Sequence, residues 1–446
     1  MGRAALLEGK SMRHAHASVI VSVLLVSTWL AAAPWWAHAS DADRAIALAQ
    51  RKLQRHAHDP TAYWYLGDAY IQKGRESGDL SYYERAEQAL RTALDLAPGH
   101  SGVIRHLAYV FSVRHDFQAA ATAAAKAIAL DPSDSQAYGV LGDAYLEMGQ
   151  YEQAAQAYQR MLALHADLAS YSRLSGLRNL QGDPEGAMAD LERAIQAGQA
   201  AGQPRESIAW AQWQLGSEHL GLGRLHEAET QYCAALATYP HYYRATAGLA
   251  HVRVAQQRYD EAIMLYQQAM AVVPLPEYAA ALGDVYTKLG RLEEAHQQYA
   301  LVEYIGLLSR LNKVVYNREL AYFYSDHDVK LPEALALARK EVESRQDIYA
   351  YDLLAWALYK NDRPQEALAA MTQALKLGTR DARLLFHAGM IHQRLGNTAQ
   401  AQDDLRRALA TNPYFHIVHA DLANRILTHL AERPDPEPLR ERHDDH

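Results

Sequence analysis

The chain of 446 residues is poor in several residue types, and each shortage excludes a class of protein or site. A single cysteine, Cys233, rules out an internal disulfide and a metal site built from several cysteines, and we expect it to be a small packed residue. Basic residues are not in excess: 44 Lys and Arg stand against 52 Asp and Glu, a formal net charge of −8. This balance argues against a nucleic-acid partner, which usually requires a basic patch. Phenylalanine is also scarce, with 5 residues against 28 tyrosines.

Long apolar runs are missing except near the N-terminus. Three basic residues precede an apolar run over 19–33, and the small-residue pattern Ala37-His38-Ala39 follows. This order is typical of a secretory signal peptide cleaved after Ala39, which would change the net charge from −8 to −10 because residues 1–39 carry three basic side chains and one acidic one. The alternative is an uncleaved anchor, although the run is shorter than the roughly 20 residues that span a bilayer. We therefore expect a periplasmic or secreted bacterial protein, with membrane contact only through this segment if it is retained.

A motif recurs along the rest of the chain. Leu141-Gly142-Asp143-Ala144-Tyr145 has near copies at 66–70 and 282–286. Apolar residues at i, i+3, i+4 and i+7 in each half of the repeat predict two amphipathic helices. A small residue of the second half recurs at steps of 33 to 41 residues, at Ala86, Ala120, Ala154, Ala187, Ala228, Ala262, Ala295, Ala334, Ala367 and Ala401.

This pattern resembles the tetratricopeptide repeat family, whose period is 34 residues. The resemblance covers about 60–413 and implies an all-α fold, a right-handed superhelical solenoid of ten helix-turn-helix repeats. A single hairpin cannot bury its apolar face, whereas stacked hairpins build one continuous core. Glycines inside the first helices, such as Gly142 and Gly283, predict a close approach of the second helix at its small residue, Ala154 or Ala295.

Three departures from the period shape the predicted organisation: an insertion over 75–83, a long linker near 198–204, and an extension over 303–315 before a degenerate eighth repeat. We expect the superhelix to bend or break at one of the last two. The predicted segments are a signal peptide (1–39), an N-terminal capping helix (40–58), repeats 1–4 (59–196), a linker (197–208), repeats 5–7 (209–302), an extension with repeat 8 (303–347), repeats 9–10 (348–413), a C-terminal capping helix (414–432) and a disordered tail (433–446).

Catalytic and metal-binding patterns are weak. No Gly-rich phosphate loop or His-Glu-x-x-His motif is present, and residues 99–103 lack the last glycine of a nucleophile elbow. His416 and His419 share a helix face, but two further ligands are missing. Acidic residues of the second helices, such as Glu341 and Asp404, are expected to face solvent. We predict no enzyme activity, no cofactor and no metal.

In the family that the sequence resembles, the first helices line a concave groove, and positions two, five, nine and twelve of each repeat face it. This mapping places all four tryptophans beyond the signal in the groove; a register error of one residue would instead put them in the core. The predicted ligand-groove residues are Trp64, Asp68, Arg105, Tyr109, Asp143, Trp210, Trp213, Arg244, His251, Asp284, Lys288, Arg318, Tyr322, Asp352, Trp356 and Tyr359, with Glu147, Ser172, Asn179, Ser217, Phe386 and Gln393 at further groove positions.

Exposed Trp, Tyr and Arg are the residue types that anchor interfaces. The predicted function is therefore that of a non-catalytic exported scaffold that binds a protein or peptide in its concave groove. The alternative is an accessory glycan-binding component of the cell envelope, acting in exopolysaccharide secretion, because aromatic faces stack on sugar rings. An enzyme is the third class, but repeats and caps leave no room for a catalytic domain.

Overall fold

The computed structural model describes residues 40–311 and 317–431, which fold into 22 α-helices without a β-strand in these ranges, and the predicted all-α fold class is confirmed. The predicted signal peptide and tail lie outside the described residues. None of the helices in the described ranges is long and apolar enough to cross a membrane. The helices are α1 Asp41–Arg55, α2 Pro60–Ser77, α3 Ser81–Leu96, α4 Ser101–Val113, α5 Phe117–Leu130, α6 Ser135–Glu147, α7 Tyr151–Leu164, α8 Leu168–Leu180, α9 Pro184–Ala200, α10 Arg205–Gly221, α11 Leu225–Thr238, α12 Tyr243–Ala255, α13 Tyr259–Val272, α14 Pro276–Lys288, α15 Leu292–Leu311, α16 Asn317–Asp326, α17 Leu331–Ser344, α18 Ile348–Lys360, α19 Pro364–Ala374, α20 Ala382–Arg394, α21 Thr398–Thr411 and α22 His419–Ala431.

The helices pair into ten hairpins, from α2–α3 to α20–α21, with one helix before them and one after. Polar side chains begin many of the first helices: Ser40 and Asp43 form a reciprocal capping box at α1, and Asp134 accepts from the free backbone N–H groups of α6. Left-handed glycines such as Gly149 (φ 70°) follow the first helices and turn the chain into the second. Local sequence signals thus define each hairpin.

Glycine inside the first helices allows the second helix to approach closely. A Cβ atom on Gly142 would lie 2.4 Å from the ring of Tyr158, and one on Gly283 would lie 2.3 Å from the ring of Tyr299. The close approach follows the prediction, but the contacting residue is not the small alanine. It is the bulky residue four positions later, one helical turn further along the same face.

The superhelix closes on itself after one turn. The backbone N–H of Gln346 donates to the carbonyl oxygen of Glu147 at 2.8 Å. Beside it, the N–H of Ile348 donates to the hydroxyl of Tyr151, 197 residues earlier, at 2.9 Å. The turn between α6 and α7 therefore docks on the loop between α17 and α18.

The same docking recurs at neighbouring hairpins, with nearly the same separation along the chain. The side-chain amide of Asn412 donates to the carbonyl oxygen of Leu220, 192 residues earlier, at 2.9 Å. A Cβ on Gly182 would lie 2.3 Å from the carbonyl oxygen of Gly378. We call this row of contacts, between the turns at 147–151, 182 and 220–223 and the loops at 345–348, 378 and 412, the inter-turn seam.

The described helices remain packed on their neighbours at the two places where a bend or break was expected. The residues of the predicted linker lengthen α9 and α10, leaving a loop over 201–204, and Gly198 packs against Leu168 and Ile208. Residues 303–311 of the extension prolong α15, and Val302 of this helix shares a buried cluster with Leu320. The described residues therefore show no break, whereas the expected bend stays a prediction.

Three expectations about exposure are also wrong. Cys233 is exposed on α11. Glu341 is buried because Arg318 and Arg345 fold over it, with nitrogen–oxygen distances of 3.0 and 3.3 Å. Asp404 is buried and accepts from Gln400 at 3.3 Å, and burial raises the pKa of its carboxyl group.

Candidate functional site

Four groove-facing polar residues are held by the same arrangement. In each case a tyrosine of the second helix of a hairpin extends past the first helix. Its hydroxyl group lies within hydrogen-bond distance of the polar side chain at groove position nine. The four contacts, at 2.9 to 3.3 Å, are Tyr158–Asp143, Tyr232–Ser217, Tyr266–His251 and Tyr299–Asp284. Phenylalanine could fill the same space but could not form the bond. This arrangement accounts for part of the excess of tyrosine over phenylalanine.

Several predicted groove charges are neutralised inside the protein. Arg173 of α8 makes a forked ion pair with Asp143 of α6, with two nitrogen–oxygen distances of 2.8 Å. Arg105 lies 3.1 Å from Asp134. Tyr109 packs near Tyr83, with ring centroids 6.5 Å apart. These residues line the groove but are engaged with neighbouring helices.

The N-terminal end of the groove keeps accessible aromatic and acidic side chains. Trp64 stacks on Tyr65 with ring centroids 5.3 Å apart, and Tyr65 is 54% exposed. The indole N–H of Trp64 donates to Nδ1 of His106 at 2.9 Å, and Nε2 of the same ring lies 3.1 Å from Asp68. Nδ1 of His106 also lies 2.7 Å from the carbonyl oxygen of Gly102. Trp64 and Asp68 thus form one linked, solvent-accessible group.

The middle of the groove carries a cationic side chain stacked on aromatic rings. The guanidinium of Arg244 lies 5.1 Å from the ring centroid of Trp213 and 5.2 Å from that of Tyr243. Trp213 is half-buried, so part of its ring remains accessible. Trp210, one helical turn earlier, packs on the apolar cluster that contains Ile208.

A cavity of ≈ 460 Å³ lies further along the interior. Its wall comes from α8, α9, α10, α12, α13 and α14 and from the loops at 379–383 and 412–417, so both turns of the superhelix contribute. The structure brings together four predicted groove residues there: Asn179, Ser217, His251 and Asp284. Sequence mapping identified their helix faces but could not show that the second turn closes the space.

Two titratable groups of the cavity have shifted pKa values. Burial raises the pKa of Glu218 to about 7, and the charge of Asp381 acts in the same direction. Burial lowers the pKa of His251 to about 4, with a further contribution from His416. His251 lines the cavity and is exposed there. At neutral pH this wall therefore presents a neutral imidazole and a carboxyl group that is partly protonated.

Two carboxyl groups of the interior have no salt-bridge partner among the described residues. Burial raises the pKa of Glu277 to about 7, with a contribution from the charge of Glu319, and burial also raises the pKa of Glu319. The Glu277 residue is exposed, so a ligand in the groove can reach its side chain. A carboxylate without a salt-bridge partner favours a cationic group from a partner. The sequence mapping did not single out either residue, although Glu277 occupies groove position two.

Four predicted groove residues of the C-terminal half, Tyr322, Asp352, Trp356 and Phe386, are in the core, and the expectation that they face a ligand groove is wrong. Ser172 of α8 is buried as well. Tyr322, Asp352 and Trp356 are 8%, 0% and 1% exposed. The reason is that α22 and the loop before it lie over the concave face of α18 and α20. His419 packs edge-on against Trp356 at 5.9 Å and stacks on Phe386 at 4.8 Å between ring centroids. The helix α22, which the sequence predicted as a C-terminal cap, thus covers the C-terminal half of the groove.

The remaining predicted residues of this half tie structural elements together. Arg318 pairs with both oxygens of Asp347 at 2.9 Å and with Glu341. Tyr359 stacks on the buried Trp356, with ring centroids 5.0 Å apart. Lys288 of α14 lies 2.7 Å from Asp421 of α22, on the other turn of the superhelix.

Below α22, histidine and aspartate side chains from three helices converge. Asp326 of α16, His387 of α20 and His419 of α22 each offer a donor atom within 4.8 Å of the others. Asp352 accepts from Nδ1 of His387 at 2.8 Å, and Trp356 donates to Asp326 at 2.7 Å. Burial lowers the pKa of His419 well below its usual value, and neighbouring His416 acts in the same direction. Sequence reasoning noted His419 but had no signal that would place the other two beside it.

The geometry defines a class of protein, a superhelical solenoid of helical hairpins with polar and aromatic side chains on its inner surface. Two family models described as tetratricopeptide repeat match the chain, one over residues 114–177 and 219–285 and the other over 38–101 and 353–416. The matched residues make up more than half of the sequence. The chain belongs to the tetratricopeptide repeat family, as its motifs indicated.

Three similar solved structures are distant from this chain in sequence, and the first of them supports the fold alone. A structure of the human IFIT1 dimer with m7Gppp-AAAA is 13% identical and covers 75% of this chain and 76% of that chain, with a TM-score of 0.50. The type IV pilus biogenesis factor PilW is 17% identical, covers 46% and 92%, and has a TM-score of 0.40. Yeast Tom70 is 14% identical, covers 89% and 94%, and has a TM-score of 0.36. None of the curated proteins matches the sequence.

Proposed function

We propose that this protein is an exported, non-catalytic scaffold that binds a protein partner through the inner surface of its first turn. The proposal depends on one difference between the two halves of the inner surface. The inner surface of the C-terminal half is covered by α22, whereas the N-terminal half keeps accessible aromatic and acidic side chains. The tetratricopeptide repeat fold itself favours protein–protein interaction, and function then depends on the groove residues.

The accessible side chains favour an extended basic segment as the ligand. Trp64 and Trp213 are half-buried and therefore already rigid, which lowers the entropy lost when a ligand packs on them. Further along the inner surface, Glu277 of α14 supplies an exposed carboxylate without a salt-bridge partner among the described residues, and a lysine or arginine of the partner would neutralise it. Because burial raises the pKa of Glu277 to about 7, we expect binding to weaken as the pH falls below 7.

The binding test compares two aromatic substitutions. Purified Trp213→Ala and Tyr304→Ala proteins are used beside the unchanged protein to capture partners from an envelope extract of the native host, and affinity is then measured on the captured protein. Tyr304 is 56% exposed but lies on a second helix, away from the groove. Loss of an interface anchor costs about 2 kcal/mol or more, so Trp213→Ala should weaken binding about 30-fold. Equal binding by all three proteins would contradict groove binding.

Glycan binding is the second candidate, favoured by one observation. The stacked Trp64–Tyr65 pair presents a flat, exposed aromatic surface with Asp68 on the same helix, which suits a sugar ring and its hydroxyl groups. Titration with neutral and acidic oligosaccharides, followed by tryptophan fluorescence, tests this role. Saturable binding that Trp64→Ala abolishes, together with no protein capture, would replace the protein-scaffold proposal by an accessory role in polysaccharide handling.

Export is the remaining part of the proposal. The signal-like N-terminal sequence supports it, and Ser40, the first residue after the expected cleavage, already caps α1. The backbone nitrogen of Ser40 lies 3.1 Å from the Asp43 carboxylate, which would also compensate the charge of a new α-amino group. N-terminal sequencing of the protein from the native host should give Ser40 as the first residue. Recovery of residues 1–39 on the membrane-bound protein would show an anchor instead.

A further inference from the structure

We propose that Asp326, His387 and His419 form a binding site for a divalent transition-metal ion of the Zn²⁺ type, with Asp352 as an outer-shell partner. The three residues lie on α16, α20 and α22, and their donor atoms are within 4.8 Å of one another. Two imidazoles and one carboxylate match the ligand count of three-ligand zinc sites. The proposal is independent of the ligand proposed for the N-terminal half of the groove.

His387 has the orientation that a metal ligand requires. Its ring is fully buried, and its Nδ1 donates to Asp352 at 2.8 Å. This bond fixes the tautomer and leaves the lone pair of Nε2 free, and Nε2 has no hydrogen-bond partner among the described residues. A carboxylate behind a histidine is the usual outer-shell arrangement at metal sites, because it orients the ring and raises its basicity.

His419 and Asp326 complete the set. His419 is 5% exposed, and its Nδ1 also lacks a hydrogen-bond partner in the described part of the chain. Its Nε2 lies 3.9 Å from Oδ1 of Asp326, too far for a hydrogen bond. The indole N–H of Trp356 donates to Asp326 at 2.7 Å and holds that carboxylate in place. The unsatisfied Nε2 of His387 and a ring nitrogen of the buried His419 thus lie near one oriented carboxylate, and a coordinated ion would join all three side chains.

The donor set selects the kind of ion. Imidazole favours Zn²⁺ and its first-row neighbours, whereas Mg²⁺ and Ca²⁺ prefer sites made of oxygen atoms. In tetrahedral coordination at about 2.1 Å the donor atoms lie about 3.4 Å apart, so donor atoms that are now within 4.8 Å of one another must approach by up to about 1.4 Å. Small rotations of the two rings provide this movement. A fourth position then remains for water.

Such an ion would join three helices that are distant in sequence. α22 reaches the site from the C-terminal end, and α16 and α20 belong to the eighth and tenth hairpins. Coordination would therefore fix α22 over the concave face of α18 and α20. We expect Zn²⁺ to slow amide exchange in residues 416–427 and to raise the melting temperature of the full chain.

The test uses the full chain stripped of metal. Zn²⁺ is titrated in competition with a chromophoric chelator, and Co²⁺ is added as a spectroscopic probe of tetrahedral nitrogen and oxygen coordination. The unchanged protein should bind one tightly held Zn²⁺ per chain, while Mg²⁺ and Ca²⁺ should not compete. His387→Gln and His419→Gln should lose this ion, and Asp352→Asn should weaken its binding 10- to 100-fold.

The control is His392→Gln, since His392 lies on the same helix as His387 but bonds with Asn397 outside the cluster. It should bind Zn²⁺ as the unchanged protein does. The proposal is overturned if the unchanged protein holds no stoichiometric Zn²⁺, or if His387→Gln and His419→Gln bind it normally. If both variants unfold, amide exchange of the unchanged protein is the deciding measurement. Protection of residues 416–427 by Zn²⁺ would support the site, and protection confined to other segments would refute it.

Discussion

The inter-turn seam predicts that two equivalent glycines will respond differently to the same substitution. Gly149 and Gly290 occupy the same turn of their repeats and have φ angles of 70° and 72°. A Cβ on Gly149 would lie 2.4 Å from the backbone oxygen of Gln346, whereas a Cβ on Gly290 would have no neighbour within 4 Å among the described residues. The loss of stability in Gly290→Ala therefore reports backbone strain alone. The loss in Gly149→Ala reports the same strain together with the steric clash between the new Cβ atom and the inter-turn seam.

The magnitudes follow from these contacts. Alanine in the left-handed conformation costs about 1 kcal/mol at either site. At Gly149 the loop must also move away, which costs about 1–3 kcal/mol as overpacking, and the hydrogen bond from Gln346 to Glu147 is strained or lost at about 1 kcal/mol. We expect Gly149→Ala to be less stable than Gly290→Ala by about 2 kcal/mol or more.

Two measurements check this difference. Urea denaturation gives the relative stability of the two variants, and hydrogen exchange read by mass spectrometry reports the amides of residues 345–348. Exchange in this segment should increase in Gly149→Ala and stay unchanged in Gly290→Ala. Equal loss of stability in both variants, with unchanged exchange at 345–348, would refute the closed arrangement of the two turns.

Three further predictions concern the core, the tyrosine hydroxyls and pH. Trp356→Ala should cost about 3–5 kcal/mol in thermal melts, because its ring is buried, whereas Trp64→Ala at the accessible end should cost about 1 kcal/mol or less. Tyr299→Phe should cost about 1–2 kcal/mol, since Asp284 loses a buried donor, and Tyr304→Phe on the exposed face of α15 should be neutral in the same melts. The folded-state pKa of Glu218 is raised to about 7, so its contribution to stability is complete below its unfolded pKa of about 4.5 and is lost as the pH rises through 7. Glu218→Gln should therefore gain about 1–2 kcal/mol over the unchanged protein at pH 8 and nothing at pH 4 in urea denaturation, a gain limited by the partial exposure of the side chain.

The sequence predicted the features that depend on neighbouring residues. The period of the small residues, the glycine between helices and the apolar spacing are all read within one hairpin, and all ten hairpins form. Ser217, His251 and Asp284, which the mapping assigned to the groove, line the cavity, and their role in binding stays a prediction. The error at Gly142, whose contact is Tyr158 and not Ala154, concerns only one helical turn.

The predictions that were wrong, and the features that the sequence did not predict, depend on contacts between residues far apart in the chain. Trp356 and Asp352 lie on the predicted face, but α22 covers that face, and no local pattern shows where a terminal helix docks. His387 and Asp326 likewise give no signal of their own, since only the fold brings them to His419. The tyrosine hydroxyls are an intermediate case. The recurrence of tyrosine 15 residues after a polar groove position was visible in the sequence, and it marks the pairs that the structure shows.

The inter-turn seam also limits how this array could change in length. Repeat proteins ordinarily gain or lose units because each unit contacts only its immediate neighbours. Here the turns at 149, 182 and 220–223 meet loops 192 to 197 residues later, so they depend on the length of chain in between. Duplication of one 34-residue unit between α11 and α17 would place every one of these turns opposite the wrong loop. The number of repeats in the closed turn is therefore fixed by geometry, while duplication outside it would leave the seam intact.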